Sequence, residues 1–145
     1  MRVDGEWFEC DDAFIRPIIR AEVLNVQGGW VSARSFLVDT GADCTVFSGA
    51  ILEVLGFDAD TPDHRLGGVG GVVESVRVPT EIRLFRDDGQ AAVFRGEYAA
   101  FTQLESLDIS ILGRDIIELF ALIVDRDAAV VSLVRPPHRY LIESP

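Results

Sequence analysis

One segment, residues 36–46, constrains this chain more than any other. It reads Phe-Leu-Val-Asp-Thr-Gly-Ala-Asp-Cys-Thr-Val, so an apolar strand runs into an acidic Asp-Thr-Gly turn and apolar sequence resumes soon after it. The pattern predicts that Asp39 lies in a buried place between Val38 and Val46. Burying an unpaired carboxylate costs several kcal/mol unless the group is hydrogen-bonded or shares a proton. The fold is therefore expected to supply Asp39 with a partner.

Short apolar runs separated by Gly, Asp and Pro predict an all-β chain. Four hairpins are expected, with tips at 27–29, 67–71, 86–89 and 126–127. The tip at 67–71 places four glycines around Val69, a composition suited to unusual backbone dihedrals or to mobility. The turn at 86–89 contains an Asp-Asp-Gly sequence, but it lacks the hydroxyl residue of the first motif and is not predicted to be a second active site.

Two segments have helical signals. Ser48 is placed to cap a short helix or turn that ends at Gly56. The buried strand that begins at Ile109 leads into the clearest helix of the sequence, Arg114 to Leu119. The chain is therefore expected to be one lobe of short strands and hairpins with one short helix in its C-terminal half.

Composition limits the possible partners. The 145 residues include 13 basic and 24 acidic side chains, a formal net charge of −11. This charge repels phosphate backbones and anionic lipid headgroups, so neither nucleic acid nor a membrane is expected as a partner. Cys10 and Cys44 are too few for a disulfide framework and have no metal-ligand spacing to His64 or His138, so no metal is expected. The first twelve residues contain no apolar run, and a cytoplasmic location is expected.

Four segments together resemble the retropepsins, the retroviral-type aspartic proteases. The first is Asp-Thr-Gly-Ala-Asp at 39–43, followed by Thr-Val at 45–46, which matches the retroviral form of the active-site motif. Arg-Pro-Ile-Ile at 16–19, the glycine-rich tip at 67–71 and Ile-Leu-Gly-Arg-Asp at 111–115 follow the family's order and approximate spacing. An Asp-Thr-Gly triplet alone is a weak signal because it is common in turns. The resemblance therefore rests on all four segments.

The resemblance implies peptide hydrolysis by two carboxylates that share one proton. One carboxylate activates water as a base while the other protonates the carbonyl oxygen of the peptide. Because the Asp-Thr-Gly motif occurs once in this chain, the second carboxylate has to come from a second copy. Asp39 of each subunit would then face the other across a two-fold axis.

The resemblance also implies supporting roles for the residues around Asp39. Thr40 would bond across the axis to the partner loop, and Gly41 would let backbone approach the substrate. Ala42 replaces the Ser or Thr common in pepsins, which removes a hydroxyl that could stabilise the charged pair and implies a mildly acidic to neutral optimum. Arg114 would pair with Asp43 as structural support. An exposed salt bridge worth under about 1 kcal/mol remains the alternative for that pair.

Substrate and dimer contacts follow from the same resemblance. The glycine-rich tip would be a flap that closes over the substrate and offers the Val69 amide, with Gly68 and Gly70 beside it, although a flexible loop would have the same composition. Arg16 would reach across the dimer toward the partner's Asp43. The residues expected to line an apolar cleft, which core packing would explain equally well, are Val46, Val72, Ile109 and Ile111.

Three segments are therefore predicted: an acidic N-terminal extension at 1–14, a retropepsin-like domain at 15–134 and a C-terminal tail at 135–145. The predicted function is that of a homodimeric aspartic endopeptidase acting on polypeptides, with no cofactor. The alternative is a non-catalytic module of the same fold, used for dimerisation or peptide binding. A third possibility is a monomer that dimerises only at high concentration or after its termini are trimmed.

Overall fold

The structure is a computed structural model that describes residues 1–57, 64–68, 71–102 and 109–137. These residues form eleven strands and two short helices, which confirms the predicted all-β class. In chain order the elements are β1 (Arg2–Asp4), β2 (Glu6–Glu9), β3 (Ile15–Leu24), β4 (Trp30–Val38), β5 (Val46–Phe47), α1 (Gly49–Leu55), β6 (His64–Gly68), β7 (Gly71–Phe85), β8 (Ala91–Phe101), β9 (Ser110–Leu112), α2 (Arg114–Ile117), β10 (Ala121–Asp125) and β11 (Val130–Val134).

Eight of the strands form one sheet that closes on itself. Its order is β2-β3-β4-β9-β5-β8-β7-β6, and β3 also pairs with β7, so the path from β3 through β4, β9, β5, β8 and β7 returns to β3. Within this barrel β4 and β9 run parallel, with Val38 opposite Leu112. Because parallel strands end on the same side, the residues that follow β4 and β9 come together there.

The hairpins form where the turn residues predict them. β3 and β4 are joined through 25–29, β7 and β8 through 86–90, and β10 and β11 through 126–129. Gly28 and Gly89 take positive φ values of 82° and 78° in two of these turns, a conformation that glycine adopts without a Cβ penalty. The arms of the fourth hairpin, β6 and β7, pair up to Gly68 opposite Gly71. Its tip, Val69 and Gly70, lies outside the described residues.

Both helices are short, and local sequence caps α1. The hydroxyl of Ser48 accepts a hydrogen bond from the Ile51 amide at the start of α1, and Gly56 ends that helix with φ of 76°. The segment predicted as a helix or turn is therefore a helix. α2 is four residues long and ends at Ile117, two residues before the predicted end. Among the described residues no helix is long and apolar enough to cross a membrane.

The core lies inside the barrel and under the helices. Phe47 is at its centre, with its ring centroid 5.9 Å from that of Phe36 and 5.7 Å from that of Tyr98. Leu52 and Leu55 close the core from α1, and both are about fully buried at 1% exposure. Aromatic pairs in edge-to-face or tilted geometry at these distances stabilise a core beyond the area that they bury.

A second, three-stranded sheet has the order β1-β11-β10. β1 pairs with β11 with Val3 opposite Leu133, and both side chains are buried. β2 pairs with β3 in the barrel. The acidic first fourteen residues thus contribute one strand to each sheet. The predicted domain boundaries, between residues 14 and 15 and between residues 134 and 135, stay predictions.

Candidate active site

The turn that carries Asp39 begins where β4 ends. The Asp39 amide donates to the carbonyl oxygen of Leu112 at 3.2 Å, which continues the pairing of β4 with β9 by one residue. One carboxylate oxygen of Asp39, Oδ1, accepts a hydrogen bond from the Gly41 amide at 2.8 Å, and the Ala42 amide donates to the Asp39 carbonyl oxygen at 3.3 Å. Such bonds from an Asp to the backbone two residues on are typical of tight turns. The turn itself therefore orients the carboxylate.

Asp39 is less buried than its apolar neighbours predict. Val38 is only 9% exposed, but Asp39 is partly exposed and both Thr40 and Gly41 are exposed in the single chain. The prediction that Asp39 lies in a buried place holds only in part for the single chain, because the two residues that follow it are exposed. The described part of the chain leaves the outer face of this turn open.

Gly113 supports the turn from beneath through direct backbone contact. A Cβ at Gly113 would lie 2.3 Å from the carbonyl carbon of Cys44, 2.4 Å from its oxygen and 2.7 Å from the Thr45 nitrogen. The backbone of Gly113 has φ of −92° and ψ of 180°, which any residue can adopt, so the position requires glycine for space. The Arg114 amide donates to the Ala42 carbonyl oxygen at 2.9 Å beside this contact.

Thr45 and Asp115 form a network that sequence reasoning did not find. The Thr45 amide donates to both carboxylate oxygens of Asp115, at 2.9 and 3.0 Å, and the Thr45 hydroxyl donates to Oδ1 at 2.7 Å. The same hydroxyl accepts from the Gly113 amide at 3.1 Å. Thr45 is fully buried, and buried hydroxyls have hydrogen-bond partners. A Thr within the apolar run that follows the turn was the available signal, although it does not say which residue is the partner.

Arg114 and Asp43 form an ion pair within the chain, as the resemblance implies. Their side chains are 46% and 83% exposed, and Arg114 also lies 3.7 Å from Glu118. Pairs this exposed are worth at most about 1 kcal/mol. The contact therefore orders the side chains around the turn more than it stabilises the fold, and its role in support of Asp39 stays a prediction.

Arg16 lies near the start of β3. Because β3 and β4 are antiparallel with Ile18 opposite Leu37, the start of β3 lies at the same end of the sheet as the Asp39 turn. Its guanidinium binds both oxygens of Asp12, at 2.6 and 2.7 Å, and lies 5.4 Å from the centroid of the Phe14 ring. The hydrogen bonds from Arg16 lower the pKa of the Asp12 carboxyl. In the single chain Arg16 is thus engaged locally, and its contact with a partner subunit stays a prediction.

The residues expected to line a cleft differ in exposure. Val46 is 5% exposed, which favours core packing, whereas Ile109 and Ile111 are partly exposed. Val46 and Ile111 are opposite each other in the pairing of β5 with β9. Val72, next to the glycine-rich tip, is 67% exposed. Gly68 is exposed as well, and its neighbours Val69 and Gly70 lie outside the described residues.

Cys44 lies beside the turn as a free, partly buried cysteine. Burial raises its pKa, and the negative charges of Asp115 and Asp43 act in the same direction, while the positive charge of Arg77 opposes them. Over the described ranges, no three His, Cys, Asp or Glu side chains are grouped so that they could hold a metal ion.

Residues 24–116 match a family model described as aspartyl protease. The chain belongs to the aspartyl protease family. The matched range contains the Asp39 turn and reaches into α2. The turn and the residues Gly113 to Asp115 that contact it therefore both lie within the part of the chain that matches the family model. A search of curated proteins gives no match.

Solved protease structures are similar to this chain. A retropepsin-like aspartic protease from Rickettsia conorii matches over 92% of this chain and 90% of its own, with 19% identity and a TM-score of 0.59. The protease of EIAV, solved with the inhibitor HBY-793, matches over 71% of this chain and 86% of its own, with 25% identity and a TM-score of 0.47. The Rickettsia structure shows that this member of the aspartyl protease family has a retropepsin-like fold.

Proposed function

We propose that the chain is an aspartic endopeptidase that works as a homodimer, with one Asp39 from each subunit. The observation that carries the proposal is the setting of Asp39. Its carboxylate is oriented by the Gly41 amide, its turn rests on the backbone contact with Gly113, and the outer face of the turn is exposed at Thr40 and Gly41. Because the carboxylate is fixed by its own turn and the outer face of that turn is exposed, a second carboxylate from another subunit could approach it.

In this mechanism the two carboxylates share one proton. The ionised carboxylate takes a proton from water as the water oxygen attacks the peptide carbonyl carbon, and the protonated one donates its proton to the carbonyl oxygen. In the collapse of the resulting tetrahedral diol, the carboxyl group that took the water proton gives it to the amide nitrogen, and the other carboxylate takes a proton from a diol hydroxyl. The C–N bond then breaks to release an amine and a carboxylic acid. Neither step requires a metal or a cofactor, since both carboxylates come from the protein.

The substrate in this proposal is an extended polypeptide. The arms β6 and β7 form a hairpin whose end carries Gly68 and Gly71, and an extended peptide can hydrogen-bond to exposed backbone there while alternate side chains enter apolar subsites. Ile109 and Ile111, which are partly exposed, are the proposed wall residues, and Val69 and Gly70 would form the flap tip. Arg16 would serve the contact with the partner subunit.

The test is cleavage of a diverse peptide mixture between about pH 4 and about pH 7 by wild type, Asp39→Asn and Asp88→Asn. Asp88 is the matched control because it lies in the other Asp-Gly turn, where its Oδ1 accepts from the Gln90 amide at 3.0 Å, a bond that Asn can keep. We expect Asp39→Asn to lower kcat/KM by at least a factor on the order of 10² and Asp88→Asn to leave it unchanged. A pepstatin-type inhibitor should block wild-type cleavage.

Equal cleavage by wild type and Asp39→Asn would overturn the proposal. If both proteins are folded and dimeric and neither cleaves any peptide, the family member is a binding or dimerisation module instead. Peptide retention by such a silent dimer, measured by fluorescence anisotropy, would then support that second function.

A further inference from the structure

A row of five residues crosses the sheet on the face that carries Asp39. The strand registers place these residues side by side in the order Leu37 of β4, Ile111 of β9, Val46 of β5, Ala99 of β8 and Arg77 of β7. Residues opposite each other in paired strands point to the same face, as do residues two apart in one strand. Leu37 is two residues before Asp39, so the row lies on the same face as the Asp39 side chain.

The opposite face of these strands is the interior of the barrel. Phe47 and Ala100, the neighbours of Val46 and Ala99 in sequence, are fully buried there. The first four residues of the row are apolar, so Arg77 is its only charged member, and Arg77 is exposed. The row therefore ends, at β7, in an exposed guanidinium.

Arg77 has no acidic partner within the described part of the chain. Arg95 provides a comparison, because it lies four residues along β8 from Ala99 and on the same face. Its guanidinium donates to the Glu81 carboxylate at 2.7 Å. Arg77 instead lies opposite Ala99, whose methyl group offers no acceptor. The guanidinium of Arg77 is therefore available to an anionic group from outside the chain.

The row has a length that suits an extended peptide bound at Asp39. Neighbouring strands are about 4.7–4.9 Å apart, so the four steps from Leu37 to Arg77 span roughly 19 Å. An extended peptide rises about 3.3 Å per residue and covers this span in about six residues. The Arg77 side chain shortens the distance, and its positive charge acts on the thiol of Cys44 beside the Asp39 turn, where it opposes the raised pKa. A peptide residue about three to six positions from the bond at Asp39 is therefore within its reach.

We propose that Arg77 selects polypeptides that carry an aspartate or glutamate about three to six residues from the scissile bond, and that it binds this carboxylate. The inference rests on the proposed function and adds a specificity residue and a substrate class to it. A guanidinium can bind a carboxylate through two parallel N–H···O bonds, which favours a carboxylate over an amide of the same shape. The net charge of −11 opposes acidic peptides only weakly at this site, because charges more than about 8 Å away are largely screened at physiological salt.

The first experiment measures kcat/KM for pairs of peptides that differ only in Glu against Gln. The pairs place this residue at each of about six positions on either side of the bond, in a peptide that the wild type cleaves. At one position, about three to six residues from the bond, we expect the wild type to prefer Glu about fivefold or more. Arg77→Gln should cleave both members of that pair equally. Arg95→Gln is the matched control, since it removes the same charge from the same face, and it should keep the preference.

A second variant reverses the charge. Arg77→Glu should prefer Lys over Gln at the position identified with the wild type, a change that a loss of stability would not produce. Raising NaCl from about 0.15 M to about 1 M should reduce the wild-type preference for Glu, because the Debye length falls from about 8 Å to about 3 Å. Circular dichroism and thermal unfolding check that each variant is folded.

Binding measurements separate this inference from the proposed function. Fluorescence anisotropy of labelled Glu and Gln peptides with Asp39→Asn reports peptide recognition directly. Tighter binding of the Glu peptide, lost in the double variant with Arg77→Gln, supports the inference even if Asp39→Asn cleaves as the wild type does and the protease proposal falls. Asp39-dependent cleavage with equal kcat/KM for Glu and Gln at every position overturns the inference and leaves the role of Asp39 intact. A preference for Glu that persists in Arg77→Gln overturns it as well.

Discussion

Replacing Gly113 with alanine tests whether the Asp39 turn depends on contact from beneath. The new Cβ would meet backbone atoms of Cys44 and Thr45 at 2.3–2.7 Å. Contacts under 3 Å force atoms to move, and backbone moves less easily than the end of a side chain. Overpacking of this kind costs about 1–3 kcal/mol, reduced by a few tenths to about 1 kcal/mol because alanine lowers the conformational entropy of the unfolded chain.

The expected result is therefore a loss of roughly 0.5–2.5 kcal/mol in the free energy of unfolding, which is the overpacking cost less the entropic gain. For a chain of this length that corresponds to a fall in Tm of roughly 2–8 °C. The displaced peptide between Cys44 and Thr45 belongs to the segment that carries Asp39, so kcat should fall as well. Urea unfolding measures the first effect, and peptide cleavage well below the Tm measures the second.

Two controls separate crowding from effects on the turn. Gly5→Ala has similar crowding elsewhere, with its Cβ 2.2 Å from the Ile18 carbonyl oxygen, so it should lose stability but keep kcat. Gly96→Ala has its nearest contact at 3.4 Å, to the Tyr98 ring, and should be close to neutral. The reasoning is refuted if Gly113→Ala is as stable and as active as wild type, or if Gly5→Ala lowers kcat by the same factor.

Three further changes test the surroundings of the turn. Thr45→Val should lower the free energy of unfolding by about 2–3 kcal/mol, because it leaves the Gly113 amide unsatisfied and removes a hydrogen bond to Asp115. Thr45→Ser keeps the hydroxyl and should cost less. Equal losses for the two variants in urea unfolding would contradict this prediction. Burial, with a smaller contribution from Asp115, raises the pKa of Tyr98 to about 12, so the folded state holds this proton more tightly than the unfolded chain. Stability should accordingly fall by about 2 kcal/mol between about pH 10 and about pH 12, and Tyr98→Phe should lack this fall in urea unfolding. The raised pKa of Cys44 predicts slower alkylation at about pH 7.5 than for a free cysteine, measured by peptide mass spectrometry; an equal rate would argue against it.

Features that depend on neighbouring residues were predictable from the sequence. Ser48 and Gly56 bound α1 because a hydroxyl and a missing Cβ act within one helical turn. The hairpin turns follow in the same way from their Gly and Asp residues. β1 was not predicted from the sequence. Its one buried side chain, Val3, lies between two charged residues, so the strand has no alternation of apolar and polar residues that would indicate it.

Features that join distant residues were not predictable without a resemblance. The barrel closes where Ala21 pairs with Leu84, and no local pattern encodes that register. The bond between Thr45 and Asp115 spans 70 residues, so each partner appears in the sequence as an isolated polar residue. The resemblance placed Arg114 near Asp43 because it supplied an arrangement already known to bring these segments together. The partial exposure of Asp39 was missed because apolar neighbours in sequence do not show where the chain leaves the barrel.

The three carboxylates around the turn differ in their hydrogen-bond partners, and this difference supports the proposed catalytic role of Asp39. The Oδ1 atom of Asp43 is paired with the Arg114 guanidinium, which engages it as an acceptor. Asp115 accepts the amide and hydroxyl hydrogens of Thr45. Asp39 accepts the Gly41 amide through Oδ1, and its other oxygen accepts no hydrogen bond from the described part of the chain. A shared proton needs an oxygen that its own chain has left available. Asp39 offers such an oxygen and has no cationic partner among the described residues, whereas Asp43 is already paired with Arg114.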